Sequence, residues 1–156
     1  MGPGTDAALA EIPLFAGLSP DTLSLLERSA SSVSFEAGAR LLRAGGQANV
    51  FYALRRGSVV LETYVPGRGP VPIETLEAGE VLGLSWMSPP YRWRLDARTL
   101  TRVSATAFDA VWLRDRFGEN PACGHDLMAR LSHTMLERLE WARMRLLDVY
   151  RRDDTR

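Results

Sequence analysis

The sequence predicts a mainly β domain with added helices: a jelly-roll-like β-roll, flanked by N-terminal helices and followed by a long C-terminal helix. From about residue 33 to about residue 107, short apolar runs are separated by glycine-containing turns, which is typical of all-β folds. After residue 109, apolar residues recur at steps of three and four, which indicates helix. With 156 residues, the chain is about the size of one domain.

Residues 1–11 are predicted to be a flexible N-terminus, and the first helix follows them at Leu18 to Ala30. Ser19 is placed to cap this helix, Pro20 occupies its first position and Asp21 lies in its first turn. The turns between the predicted strands contain glycine, the residue that most easily adopts a positive φ. They include Gly38, Gly57, Gly69 and Gly79.

Two helices are predicted after the roll. Asp109 can cap a short helix that ends near Gly118, and Pro121 can open a long helix that reaches about Tyr150, followed by a short tail at 151–156. The long helix has two apolar faces, which one small roll cannot cover, so we expect one face to meet a second copy of the chain. The alternative is that the helix folds back over its own domain. The predicted dimer seam consists of Leu127, Leu131, Met135, Leu139, Ala142 and Leu146.

Composition excludes several classes of function. Nineteen basic and nineteen acidic residues cancel, so no overall field attracts nucleic acid or an anionic membrane. All the basic residues are arginine, which excludes lysine nucleophiles. Cys123, His125 and His133 are too few for a cysteine-rich zinc site, and both histidines lie in the long-helix region rather than on the strands of the roll, so neither a metal site nor an enzyme activity is expected. The N-terminus lacks a secretory signal and no apolar run approaches about 20 residues, which predicts a cytoplasmic protein.

Four stretches, in order, resemble the cyclic nucleotide-binding domain of the CAP/FNR-type regulators. They read IPLFAGLSPDTLSLLE, FEAGARLLRAGG, VFYALRRGSVVL and LEAGEVLG. The resemblance covers residues 12–150 and implies a non-enzymatic sensor that binds a ligand and signals through its dimer helix. Family members that act as transcription factors carry a winged helix-turn-helix after that helix. Only RRDDTR follows Tyr150, so we expect a stand-alone form without direct DNA binding, acting on a possible protein partner.

The resemblance also implies a ligand site. In nucleotide-binding members, a short helix after the glycine corresponding to Gly83 holds the cyclic phosphate with its backbone N–H groups and a downstream arginine. Ser85 can add a hydroxyl, and cAMP or cGMP is the implied ligand. The chain departs from the family where Leu84 replaces the glutamate that accepts from the ribose hydroxyl, and the Arg-Ser-Ala or Arg-Thr-Ala triplet is missing. Another anionic ligand is therefore possible, and the alternative is a homodimeric interaction scaffold without a nucleotide.

The candidate arginines lie in the stretch PPYRWRLDAR. In an extended segment, Arg92, Arg94 and Asp96 share one face. Arg92 or Arg94 is then the phosphate-binding residue, and the alternative is that both belong to a solvated strand face with Asp96 as their partner. The sequence does not choose between the two arginines. The opposite, core-facing set consists of Trp93, Leu95 and Ala97.

Overall fold

The computed structural model describes Leu9 and residues 11–155. After a 3₁₀ turn at Pro13–Phe15 comes helix α1, Pro20–Ser29. A second 3₁₀ turn, Leu84–Met87, separates the sixth and seventh strands, and helices α2, Ala110–Glu119, and α3, Pro121–Asp153, follow the last strand. The strands are β1 Ala30–Phe35, β2 Arg40–Leu42, β3 Val50–Arg56, β4 Val59–Val65, β5 Gly69–Leu76, β6 Val81–Leu82, β7 Asp96–Thr99 and β8 Val103–Asp109.

The strands form two four-stranded antiparallel sheets. One has the order β1-β8-β3-β6, and the other has the order β2-β7-β4-β5. Side chains from both sheets meet inside the roll, where Leu54, Leu76, Leu82 and Val103 are almost fully buried. The predicted class, a β-roll with N-terminal helices and a long C-terminal helix, is confirmed.

A second apolar core joins the helices to the first sheet. Phe51 stacks between Phe108 and Trp86, with ring centroids 4.6 and 4.8 Å away, and Phe15 meets Phe108 edge-on at 5.6 Å. Leu127, at 0% exposure, extends this cluster onto α3. This core therefore fixes the start of α3 against the roll.

Helix α1 begins as its sequence predicts and is tied to α3. The hydroxyl of Ser19 accepts from the Thr22 backbone N–H at 3.2 Å. The Asp126 carboxylate of α3 accepts from the Ser19 N–H and from the Thr22 hydroxyl, both at 2.9 Å. The hydrogen bond from the Ser19 backbone is the main reason that the pKa of Asp126 is lowered from its ordinary value of 3.8.

The long helix α3 has two different parts. Only Cys123, Leu127 and Leu131 are buried in it, and beyond them its apolar side chains face solvent. This corrects the expectation that Leu127 and Leu131 meet a second chain, because both lie in the core of their own domain. The helix also continues to Asp153, past the predicted end at Tyr150. In the part of the chain that the structure describes, no helix has the length and apolar character needed to cross a membrane.

Candidate ligand-binding cavity

A cavity of about 450 Å³ lies between the roll, the 3₁₀ turn after Gly83 and one side of α3. Its lining includes Gly83, Leu84, Ser85 and Arg94, four of the five residues that the sequence analysis selected for the ligand site. The fifth, Arg92, is not part of the lining. The structure thus brings most of the predicted set together.

The turn after β6 depends on Gly83. Its φ is 89°, in the left-handed region that side chains disfavour. A Cβ placed there would lie 3.3 Å from both the Phe51 Cα and the Val50 carbonyl oxygen, so any other residue would push against the β3 backbone. Two residues further on from Leu84, Trp86 is 1% exposed and stacks on Phe51, which anchors the turn in the core.

Leu84 presents an alkyl side chain to the cavity and also packs against the core. It therefore offers no acceptor to a ligand hydroxyl. Three serines, Ser85, Ser88 and Ser132, supply the uncharged polar side chains of the lining.

Arg114 of α2 fastens the loop that follows the turn. Its guanidinium donates to the Ala48 carbonyl at 3.0 Å and to the Trp86 carbonyl at 2.8 Å, and lies 4.4 Å from the centroid of the Tyr91 ring. Tyr91 has a φ of 55°, which is rare for a residue with a large side chain. Sequence reasoning missed Arg114, because nothing in the helical spacing distinguishes it from the other surface arginines.

The two candidate arginines have different positions. Arg92 donates to the Gly45 carbonyl at 2.8 Å and pairs with Gln47 in an isolated β-bridge, so it braces a neighbouring loop. Arg94 lines the cavity, and across residues 11–155 no carboxylate lies in salt-bridge range of it. Of the two candidate arginines, Arg94 is therefore the one that faces the cavity.

Asp96 does not pair with Arg92 or Arg94 in the structure. Asp96 accepts from the Ala44 N–H at 2.8 Å and lies 3.9 Å from Arg40. The strand β7 begins at Asp96, so the stretch before it is not an extended ladder strand. Trp93 and Leu95 nevertheless pack toward the cores, as alternation predicted.

Helix α3 supplies the other wall. The side chains that it contributes to the lining are Met128, Ser132, Met135 and Arg138, and the Arg138 guanidinium donates to the carbonyl of Val81, two residues before Gly83. Arg138 was not predicted, because it lies far along the chain from Gly83 and from PPYRWRLDAR, and the path of α3 brings it to the cavity.

The lining contains two arginines and no aspartate or glutamate. The buried indole N–H of Trp93, which also lines the cavity, has no acceptor among the described residues. Such a lining provides donors and positive charge, so it suits an anion. Within the same described residues, no group of three histidine, cysteine or acidic side chains is placed to hold a metal ion.

The fold is shared by solved structures of cyclic nucleotide-binding domains. A Geobacter metallireducens GS-15 protein named for cyclic nucleotide binding matches with a TM-score of 0.79 at 23% identity, covering 86% of this chain and 98% of its own. A cyclic nucleotide-binding domain from Methylobacillus flagellatus KT matches with a TM-score of 0.76 at 17% identity, covering 92% and 80%. The chain therefore has the cyclic nucleotide-binding domain fold.

The same fold occurs in the protein DNR from Pseudomonas aeruginosa, with a TM-score of 0.71 at 21% identity over 92% of this chain and 64% of that one. The sequence-based recognition of the cyclic nucleotide-binding domain of the CAP/FNR type is thereby confirmed at the level of the fold. No known family profile matches the chain.

One curated relative matches by sequence. The chain is 33% identical over 134 residues, 84% of its length, to part of Glutaminase 1 from Bradyrhizobium diazoefficiens. The match spans 21% of that protein, so the chain corresponds to about a fifth of its length.

Proposed function

We propose that the protein is a non-enzymatic sensor module that binds an anionic ligand in the cavity beside Gly83 and signals, as a cytoplasmic homodimer, through α3. A cyclic nucleotide such as cAMP or cGMP is the first candidate ligand, because solved structures with this fold include one of a protein kinase A regulatory domain from Toxoplasma gondii with cAMP. The observation that carries the proposal is Arg94, a guanidinium that lines a cavity free of acidic side chains.

The chemistry of the site supports binding rather than catalysis. Guanidinium groups hold phosphate or carboxylate oxygens through paired, charge-assisted hydrogen bonds. The lining has no histidine, cysteine or carboxylate to act as nucleophile or general base. The cavity can therefore recognise and retain an anion.

The second half of α3 supports the dimer. The helix has 33 residues and is about 50 Å long, yet its buried residues lie only near its start. Beyond Leu131 the helix exposes many large apolar side chains, and exposed apolar side chains in such number favour an interaction site. They include Met135, Leu136, Leu139, Trp141, Met144, Leu146, Leu147 and Val149.

Ligand and dimer are linked by the position of α3. Met128, Ser132 and Met135 line the cavity, and the proposed seam starts at Met135. A ligand that draws the cavity walls together would therefore shift the helix that carries the seam, which is how binding at one site biases an interface.

Isothermal titration calorimetry of nucleotide-stripped protein with cAMP, and then with cGMP, tests the proposal. We expect saturation near one site per chain, a loss of about tenfold in affinity in Arg94→Gln, and no loss in the neighbouring control Arg92→Gln. Equal losses in both variants would contradict the assignment of Arg94. Glutamine hydrolysis by the purified chain would contradict the non-enzymatic proposal.

A second candidate is an interaction scaffold that uses the same dimer helix without a nucleotide. The exposed seam favours it independently of the cavity. The match to part of a glutaminase supports an enzyme as the protein partner of such a scaffold. Flat titrations together with a stable dimer in analytical ultracentrifugation would favour the scaffold.

A further inference from the structure

We propose that the ligand of the cavity is an amphipathic anion, with an alkyl body on a leucine floor and an anionic head held by Arg94 and Arg138. This inference rests on the proposed anion-binding function of the same cavity, and it places a different class of anion ahead of the cyclic nucleotide as the ligand.

The floor of the cavity is apolar and buried. Leu42, Leu61, Leu82 and Leu131 line it and are 4%, 7%, 1% and 1% exposed. These leucines form an apolar floor, and the apolar surface that a ligand would remove from water, at about 25 cal/mol per Å², lies mainly on Met128 and Met135, which are 45% and 48% exposed. Met128 and Met135 add unbranched, adaptable side chains that suit a flexible body.

The charged groups lie nearer to solvent than the floor does. Arg94 is exposed and Arg138 is half-buried, whereas the four floor leucines are buried. Arg138 donates one N–H to the Val81 carbonyl, and its guanidinium has four further N–H donors. Arg94 and Arg138 have no salt-bridge partner among the residues that the structure describes. The gradient from apolar floor to cationic rim matches a molecule with an apolar body and one anionic end.

A sugar-bearing ligand fits this lining less well. Ribose hydroxyls need acceptors once they leave water, and burying one without an acceptor costs about 1–3 kcal/mol on a protein scale. The lining has no carboxylate, and Leu84 presents an alkyl side chain at the start of the turn. The serines are the only uncharged side-chain acceptors, and Ser88 and Ser132 are exposed to solvent. An alkyl body needs none of these acceptors.

Three probes with the same ten-carbon chain separate charge from hydrophobicity. The probes are decanoate, decanol and decyltrimethylammonium, each titrated into the protein below its aggregation limit. Tryptophan fluorescence and calorimetry measure the binding. We expect decanoate to saturate at one site per chain and to bind about tenfold more tightly than decanol. The cation should show no saturable binding, because both arginines repel it.

Single variants locate the head group. Arg94→Gln and Arg138→Gln should each weaken decanoate about tenfold and leave decanol unchanged. Arg92→Gln and Arg143→Gln are matched controls, since Arg92 faces Gly45 and Arg143 is an exposed arginine of α3 outside the cavity. Leu84→Glu leaves both arginines in place and should also weaken decanoate through charge repulsion. It keeps the test valid if a glutamine variant fails to fold, which circular dichroism reveals.

The other possible outcomes overturn the amphipathic ligand, the anion site or the whole proposed function. If cAMP or cGMP binds more tightly than decanoate, the amphipathic ligand class is overturned while the proposed sensor function stands. If neither decanoate nor a cyclic nucleotide binds, both proposals fail. If decanol matches decanoate, or if neither arginine variant affects decanoate, the anion site is overturned.

Discussion

Replacing Leu127 with alanine tests whether the first part of α3 belongs to the core of its own domain. The side chain is 0% exposed and packs in the cluster that joins the helices to the first sheet. The change removes three carbon groups at about 0.8 kcal/mol each, or about 2.4 kcal/mol, and an uncollapsed cavity adds to this loss. We expect the free energy of unfolding, measured in urea, to fall by about 3 kcal/mol at every protein concentration.

Leu139→Ala on the same helix is the matched control. Leu139 is 46% exposed, so the same arithmetic gives a loss of about 1 kcal/mol within one chain. If the seam joins two chains, this variant should also weaken the dependence of unfolding on protein concentration. A loss below about 1 kcal/mol for Leu127→Ala, or a loss for this variant that changes with protein concentration, would refute the division of α3 into a core part and a seam part.

Three further predictions concern the stability of the domain. The pKa of Asp126 is lower in the folded chain than the unfolded value near 3.8, so its contribution to the free energy of unfolding is complete above that value and is lost as the pH falls through the folded pKa. The stability difference between wild type and Asp126→Asn, measured by urea unfolding from pH 6 to pH 2, should therefore shrink below about pH 4. Gly57→Ala should cost about 2 kcal/mol or more in thermal unfolding, because φ is 91° and the new Cβ would lie 2.3 Å from the Arg102 carbonyl oxygen. Arg98→Met should cost about 2 kcal/mol in urea, because it leaves the Glu62 carboxylate, 4% exposed and 2.5 Å from Arg98, without its partner.

Each of these has a distinct contrary result. A difference that stays constant down to pH 2 would mean that Asp126 does not hold the α1 N-terminus in its ionised form. An unchanged melting temperature in Gly57→Ala would mean that the hairpin backbone relaxes freely. Because the pair acts as a unit, adding Glu62→Gln to Arg98→Met should restore part of the lost stability, and a further loss would contradict the account.

Local chemistry was sufficient to predict the starts of the helices. The Ser19 hydroxyl caps α1 and the Asp109 carboxylate caps α2 by accepting from the Trp112 N–H at 3.1 Å, as their positions before apolar periodic runs indicated. A cap involves residues three apart, so it can be read directly from the chain. The end of α3 was placed three residues too early, since no glycine or proline marks it.

Part of the candidate site was also predictable. Gly83, Leu84 and Ser85 form one continuous turn, so a sequence resemblance identifies all three together. The choice between Arg92 and Arg94 was not predictable from strand alternation, because the loop from Ser88 to Leu95 is irregular and Tyr91 adopts a left-handed conformation. Side-chain direction in such a loop depends on contacts with distant residues.

The order of the elements, the helix caps and the β-roll class could be predicted from the chain, because they depend on neighbouring residues and on periodicity, and the resemblance to a known family added the turn that begins at Gly83. The packed structure was needed to show that Arg94 and Arg138 line one cavity, that Arg114 fastens the loop beside it, and that Leu127 is core rather than seam. The residues that meet there are separated by tens of positions along the chain. Their meeting depends on the packing of α3 against the roll, which no local pattern encodes.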